Sequence, residues 1–223
     1  FAFIGIIRKP EYTNRSGVFL RTPFYQEIIM KICIFGAASA HIDDIYIKKV
    51  EELGELLAKR GHSLVFGAGA TGLMGAAARG FKRGGGFIHG VIPKFFREES
   101  VELIYEDCDK ITYTETMSER KKTMEDECDA FIVTPGGIGT FEEFFEVLTL
   151  KQLGRHQKAI VIYDIEDYYE ELEKFMKVAY ERKFFNFSCY EMYEYVNSAK
   201  DIAEYLENYV PAATPWQKLK TGD

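Results

Sequence analysis

From residue 31 onward, apolar positions follow two alternating patterns. Short strand-like runs lie at 31–35, 63–66, 87–92, 110–114, 130–134 and 159–163. Between them run longer stretches with helical spacing. In residues 43–60, Tyr46, Val50, Leu53 and Leu57 share one face, and Gly61 ends the stretch. The same reasoning predicts helices over 73–83, 117–127, 141–153, 167–182 and 198–209, with a last strand over 190–196. Tyr168 and Tyr169 read as the ordinary start of an amphipathic helix.

Apolar strands that alternate with helices through short connections predict a parallel sheet covered on both faces. The expected fold is α/β: a doubly wound, mainly parallel, Rossmann-like single domain. Such sheets bind ligands at the carboxyl ends of their strands. Two glycine turns fall at such ends. One, Gly67-Ala68-Gly69-Ala70-Thr71-Gly72, follows the second strand; the other, Pro135-Gly136-Gly137-Ile138-Gly139-Thr140, follows the strand at 130–134.

The length of 223 residues suits one large domain. The expected division is an N-terminal extension at 1–29, the Rossmann-like domain at 30–210 and a loose, Pro-interrupted tail at 211–223. Residues 1–7 are apolar but too short to span a bilayer, and no basic segment precedes them. A net charge of -7 argues against a general binder of nucleic acid or membrane surfaces, which needs a positive footprint. Cys33, Cys108, Cys128 and Cys189 show neither CxxC pairing nor a His at metal spacing, so reduced thiols in a cytoplasmic protein are expected. His41, His62, His89 and His156 are isolated from one another and make no metal or nucleophile constellation.

Chemistry concentrates at the second glycine turn. A strand, a glycine turn and a helix start together present backbone N–H groups to an anion. Glu142 and Glu143 at its edge are carboxylates that a plain phosphate cradle does not need. Thr140 and Glu143 also fit a capping box, which explains one carboxylate but not its neighbour or the three glycines. The first glycine turn is evenly balanced between phosphate binding and tight helix–strand packing. Thr116 and Glu119 form another capping-box pattern ahead of Arg120 and Lys121. Only one helix and one strand separate Arg120 from the second turn, so it lies within reach of a ligand there. The stripe of Phe141, Phe144, Phe145 and Leu148 reads as core or subunit interface.

These residues resemble the Lonely Guy (LOG) family, the cytokinin riboside 5′-monophosphate phosphoribohydrolases. The resemblance runs through Gly72-Leu73-Met74-Gly75, Gly90-Val91-Ile92-Pro93, Met117 to Lys121, and Pro135 to Glu143 continuing to Gly154, and it covers residues 30–209. The family motif Pro-Gly-Gly-x-Gly-Thr-x-x-Glu is matched in full. Members are often labelled possible lysine decarboxylases, although nothing in these residues marks a pyridoxal site.

The resemblance implies hydrolysis of the N-glycosidic bond of an adenine-type nucleoside 5′-monophosphate, giving free base and ribose 5-phosphate. It implies Arg120 and Glu143 as the catalytic pair, with nucleotide contacts from Lys121, Gly136, Gly137, Gly139, Thr140, Glu142 and Thr149. Gly72 joins them from the first turn, and an acidic contact falls near Glu98 or Glu99. No metal or redox cofactor is implied, and the expected assembly is a homo-oligomer. Two departures bear on substrate choice. Ser118 stands where the family usually has His, and Gly36-Ala37-Ala38-Ser39 replaces its usual Gly-Ser-Ser. The competing reading is a non-catalytic nucleotide or cofactor carrier of the same fold.

Overall fold

The computed structural model describes residues 28–185 and 187–211. The expected extension at 1–29 and tail at 211–223 therefore lie almost wholly outside the described residues. The chain runs β1 (Lys31–Phe35), α1 (Asp44–Lys59), β2 (Ser63–Phe66), α2 (Gly72–Gly84), β3 (Ile88–Pro93), α3 (Lys94–Glu98), β4 (Lys110–Thr114) and α4 (Met117–Glu127). It continues with β5 (Ala130–Val133), α5 (Ile138–Gln152), β6 (Ala159–Tyr163), α6 (Glu170–Glu181), a 3-10 turn (Phe187–Met192), β7 (Glu194–Val196) and α7 (Ala199–Asn208).

All seven strands are parallel, in the order β4-β3-β2-β1-β5-β6-β7. The chain starts at the centre, builds outward to β4, and returns to lay β5 on the other side of β1. That reversal opens a crevice at the carboxyl ends of β1 and β5, the usual ligand position in an open α/β sheet. The central strands are buried on both sides, which is why they read as unbroken apolar runs. One apolar layer packs the sheet against α1, α2 and α7 through Leu53, Leu57, Phe81 and Ile202. The other packs it against α4, α5 and α6 through Met124, Phe144, Leu148 and Met176.

Four local expectations are corrected. α5 begins at Ile138, three residues before the predicted start, with Gly137 as its cap and no side-chain capping bond. Thr140 therefore lies inside the first turn, and the capping-box reading of Thr140 and Glu143 fails. Residues 190–196 form a strand only from Glu194. Upstream, Cys189, Met192 and Tyr193 are the buried positions, a helical rather than alternating spacing. α6 begins at Glu170, so Tyr168 and Tyr169 belong to the turn before it. The one-turn helix α3 was not predicted, because five residues carry no periodicity.

Candidate active site

Three turns meet at the crevice. The Ala37 N–H donates to the Pro135 carbonyl at 3.1 Å, and the Leu73 N–H donates to the Ala37 carbonyl at 2.8 Å. The Thr71 hydroxyl closes the set by donating to the Ala38 carbonyl at 2.6 Å. Gly72 sits at φ +58°, in the left-handed region, and a Cβ there would lie 2.3 Å from the Ala37 carbonyl oxygen. The need for glycine at this position thus arises inside the chain. In the first turn of α2, the N–H groups of Leu73 and Met74 both donate to the Ala37 carbonyl.

The second turn differs. Gly136 is enforced by packing, since a Cβ would lie 2.1 Å from the Thr140 hydroxyl. Gly137 and Gly139 have no positive φ, and a Cβ on either would meet nothing within 4 Å. Helix α5 supplies no acceptor for the N–H groups of Ile138, Gly139 and Thr140. The two bare glycines leave these donors open to approach.

Arg120 reaches the crevice from the first turn of α4. That helix is capped by Thr116, whose hydroxyl accepts from the Glu119 N–H at 3.1 Å. The Glu119 carboxylate in turn accepts from the Glu115 N–H at 2.8 Å, one residue earlier than in a standard capping box. The buried Arg120 side chain donates from Nε to the Val91 carbonyl at 3.2 Å and from Nη2 to the Gly67 carbonyl at 3.3 Å. Its guanidinium carbon stands 5.8 Å from the centre of the Phe96 ring. Gly67 has no side chain because Arg120 occupies the space: a Cβ would lie 1.7 Å from Nη2.

Glu143, on the second turn of α5, places Oε1 3.6 Å from Arg120 Nη1. Burial lifts its carboxyl to about 7, against the pull of Arg120. A second carboxylate, Glu102, comes from the loop after α3. Its Oε1 is buried without a hydrogen-bond partner among the described residues, and it is the atom that a Cβ on Gly69 would strike, at 2.2 Å. Burial raises the Glu102 carboxyl too, and Arg120 is again the opposing charge. Lys121 pairs with Glu142 and with Glu146, the latter at 2.6 Å. Burial works against its charge, but the two carboxylates hold its ammonium above the ordinary lysine value.

Of the residues singled out from sequence, Arg120, Lys121, Gly136, Gly137, Gly139, Thr140, Glu142 and Glu143 lie on α4 and α5 around one turn. Gly72 stands across the crevice at the start of α2. Two others lie apart. Thr149 is exposed two turns further along α5, in a shallow groove with Glu142, Phe145, Glu146 and Leu150. Glu99 is exposed at the end of α3, whereas Glu102 faces Arg120. His62, His89 and His156 are tied to Glu207, Thr112 and the Val147 carbonyl, away from the pair. Sequence reasoning missed Glu102, and it missed Tyr168 and Tyr169, whose hydroxyls donate to the Gly136 and Thr134 carbonyls.

A family model described as "Possible lysine decarboxylase" matches residues 74–206. "Cytokinin riboside 5'-monophosphate phosphoribohydrolase LOG1" of Arabidopsis thaliana is 37% identical over 181 residues, covering 81% of this chain and 84% of its own. LOG3 of the same plant is 35% identical with 81% and 83% covered. A probable member from Oryza sativa subsp. japonica, LOGL5, is 35% identical with 81% and 73% covered. Among solved structures, the molybdenum cofactor carrier protein of Chlamydomonas reinhardtii superposes with a TM-score of 0.57 at 21% identity, covering 79% of this chain and 94% of that one. The molybdenum cofactor binding protein of Rippkaea orientalis gives 0.59 at 18% identity, with 82% and 98% covered. At such identities the structural likeness speaks for the fold. The sequence relatives speak for more: the chain belongs to the LOG family of cytokinin riboside 5′-monophosphate phosphoribohydrolases, the family whose model carries the decarboxylase description.

Proposed function

We propose that the protein is a phosphoribohydrolase that cleaves the N-glycosidic bond of adenine-type nucleoside 5′-monophosphates. The observation that carries this reading is the buried Arg120–Glu143 pair beside the open N-terminus of α5. The free N–H groups of that first turn, with the helix dipole behind them, bind the 5′-phosphate. The ribose then lies over Glu143. Breaking the C1′–N bond develops oxocarbenium character at C1′, which an ionised carboxylate stabilises while it takes a proton from the attacking water. Water supplies the new C1′–O bond, and the proton that Glu143 takes from it leaves with the base, which restores the carboxylate. Arg120 holds Glu143 in place and favours its ionised form. Glu102 supplies an acceptor for a sugar hydroxyl, whereas the resemblance implies an acidic nucleotide contact near Glu98 or Glu99.

One feature speaks against lysine decarboxylation at this site. Schiff-base chemistry needs a neutral amine, and Lys121, the lysine beside the pair, is held as an ammonium between two carboxylates.

Incubation with AMP and with N6-isopentenyl-AMP, assaying ribose 5-phosphate, tests the reading. Release from at least one substrate is expected; a folded protein that releases nothing from either ends it. Tight nucleotide binding without release would favour the carrier reading instead. The exposed Ile138 and Phe145 on α5, with Leu153 at its C-cap, support a homo-oligomer, which light scattering after size exclusion checks.

A further inference from the structure

The turn between β6 and α6 is strained. Glu166 and Asp167 are consecutive non-glycine residues at φ +53° and +55°, a conformation that a Cβ disfavours and that persists only where its surroundings enforce it. Its product is visible in the next two residues. The Tyr168 hydroxyl donates to the Gly136 carbonyl at 2.7 Å, and the Tyr169 hydroxyl donates to the Thr134 carbonyl at 2.7 Å. The Tyr169 N–H is itself fixed by Asp164 Oδ1 at 2.9 Å. The rings are wedged edge to face. Tyr168 packs on Tyr46 and Tyr169, and Tyr169 packs on Phe141 of α5.

The two accepted carbonyls flank Pro135 and do different things. A trans peptide is planar, so its C=O and N–H point in opposite directions, and no cis bond occurs among the described residues. After Thr134 comes Pro135, which has no N–H; the Tyr169 bond therefore anchors the turn and aims no donor. After Gly136 comes Gly137, the cap of α5. Holding the Gly136 oxygen turns the Gly137 N–H away from the β6–α6 turn and sets the orientation of that peptide plane.

We propose that Tyr168 is a positioning residue for the phosphate site, fixing the 136–137 peptide so that the Gly137 N–H joins the first-turn donors of α5 as a ligand to the 5′-phosphate. This rests on the proposed function and adds a specific claim: the hydroxyl of Tyr168 is read out only by ligands that carry the phosphate. Tyr169 is the structural counterpart. Its buried hydroxyl supports the same turn, and its loss is expected to lower stability without selectivity for the phosphate.

Tyr168→Phe removes one hydroxyl from a half-exposed side chain and one donor to the Gly136 carbonyl, so the variant is expected to stay folded and to melt no more than a few degrees below the wild type. Binding of AMP, ribose 5-phosphate and adenosine is measured by calorimetry on both proteins. Losing a well-oriented hydrogen bond to a charged group is expected to weaken AMP and ribose 5-phosphate by about tenfold. Adenosine should be unchanged, and in turnover KM for AMP should rise with kcat retained. The amide signal of Gly137 is expected to shift with ribose 5-phosphate in the wild type and to shift less in Tyr168→Phe. Equal binding of ribose 5-phosphate by both proteins overturns the positioning role while leaving the phosphoribohydrolase reading intact. So does an equal loss for AMP and adenosine. If the wild type binds neither phosphorylated ligand, the proposal falls together with the function.

Discussion

The glycine turns after β2 and after β5 look alike in sequence and have opposite causes. In the first, the glycines at 67, 69 and 72 sit against the chain's own atoms: the guanidinium of Arg120, the carboxylate of Glu102 and, at the positive φ of Gly72, the carbonyl of Ala37. Two first-turn donors of the following helix, the Leu73 and Met74 N–H groups, are already taken by the Ala37 carbonyl. In the second, Gly136 is packed against Thr140, but Gly137 and Gly139 face open space beside free helix donors. The first turn is a scaffold that gives two charged side chains room to reach the crevice. The second is the surface a ligand meets. A glycine-rich turn therefore says little until one asks what a Cβ would strike.

The largest effect is expected where the two turns meet, at Glu143 and Arg120. Glu143→Gln should cut kcat by about a thousandfold or more, since it removes both the base and the negative charge that faces the sugar, while AMP binding survives. Near-normal turnover would remove Glu143 from the mechanism. The same carboxyl makes a pH prediction. Burial lifts it from 4.5 to about 7, so the folded state holds its proton more tightly than the unfolded state. The stability this lends is complete below pH 4.5 and is lost as pH rises through about 7. Glu143→Gln should therefore melt above the wild type at pH 8 and level with it at pH 4. Wild-type kcat/KM should rise through the same window as the carboxylate forms.

The next effect separates scaffold from surface. Gly72→Ala should destabilise by about 2 kcal/mol, because it puts a Cβ at positive φ and against a backbone oxygen that cannot move aside. Gly137→Ala should leave the melting temperature within a degree or so and raise KM for AMP by about tenfold, its methyl standing where the phosphate approaches. Chemical denaturation and steady-state kinetics on both variants decide the matter. If Gly72→Ala costs binding but no stability, or Gly137→Ala the reverse, the division between the turns is wrong.

Much of this architecture was legible because the central strands are covered on both faces. Residues 31–35, 63–66 and 159–163 are apolar runs closed by polar or glycine punctuation, and they form β1, β2 and β6 without a shift. Arg120 and Glu143 stood out by their place around the second glycine turn, and the resemblance paired them as catalytic. Periodicity could not have done so, because the Arg120 side chain is held by a carbonyl 53 positions earlier in the chain. The segment from Lys94 to Asp109 has no sustained period. That hid α3 and left Glu102 unnoticed, while the resemblance implies an acidic contact near Glu98 or Glu99. Tyr168 and Tyr169 misread for a related reason. Aromatic residues before an amphipathic stretch look like a helix start, and only the left-handed pair Glu166–Asp167 aims them back at the glycine turn.

The smallest effect gives the sharpest test, because two signs must come out opposite. Gly139 lies in the first turn of α5 with space around it. Replacing a helical glycine by alanine removes backbone freedom from the unfolded chain and is expected to stabilise by about 0.5–1 kcal/mol. In a domain of this size that raises the melting temperature by about 2 °C. A scaffold glycine such as Gly72 cannot behave this way. The same methyl narrows the approach to the first-turn donors, so Gly139→Ala should bind ribose 5-phosphate more weakly while folding more firmly. A more stable variant with undiminished phosphate affinity would mean that the open face of the second turn is not where the ligand sits. The contrast between the two turns would then reduce to packing.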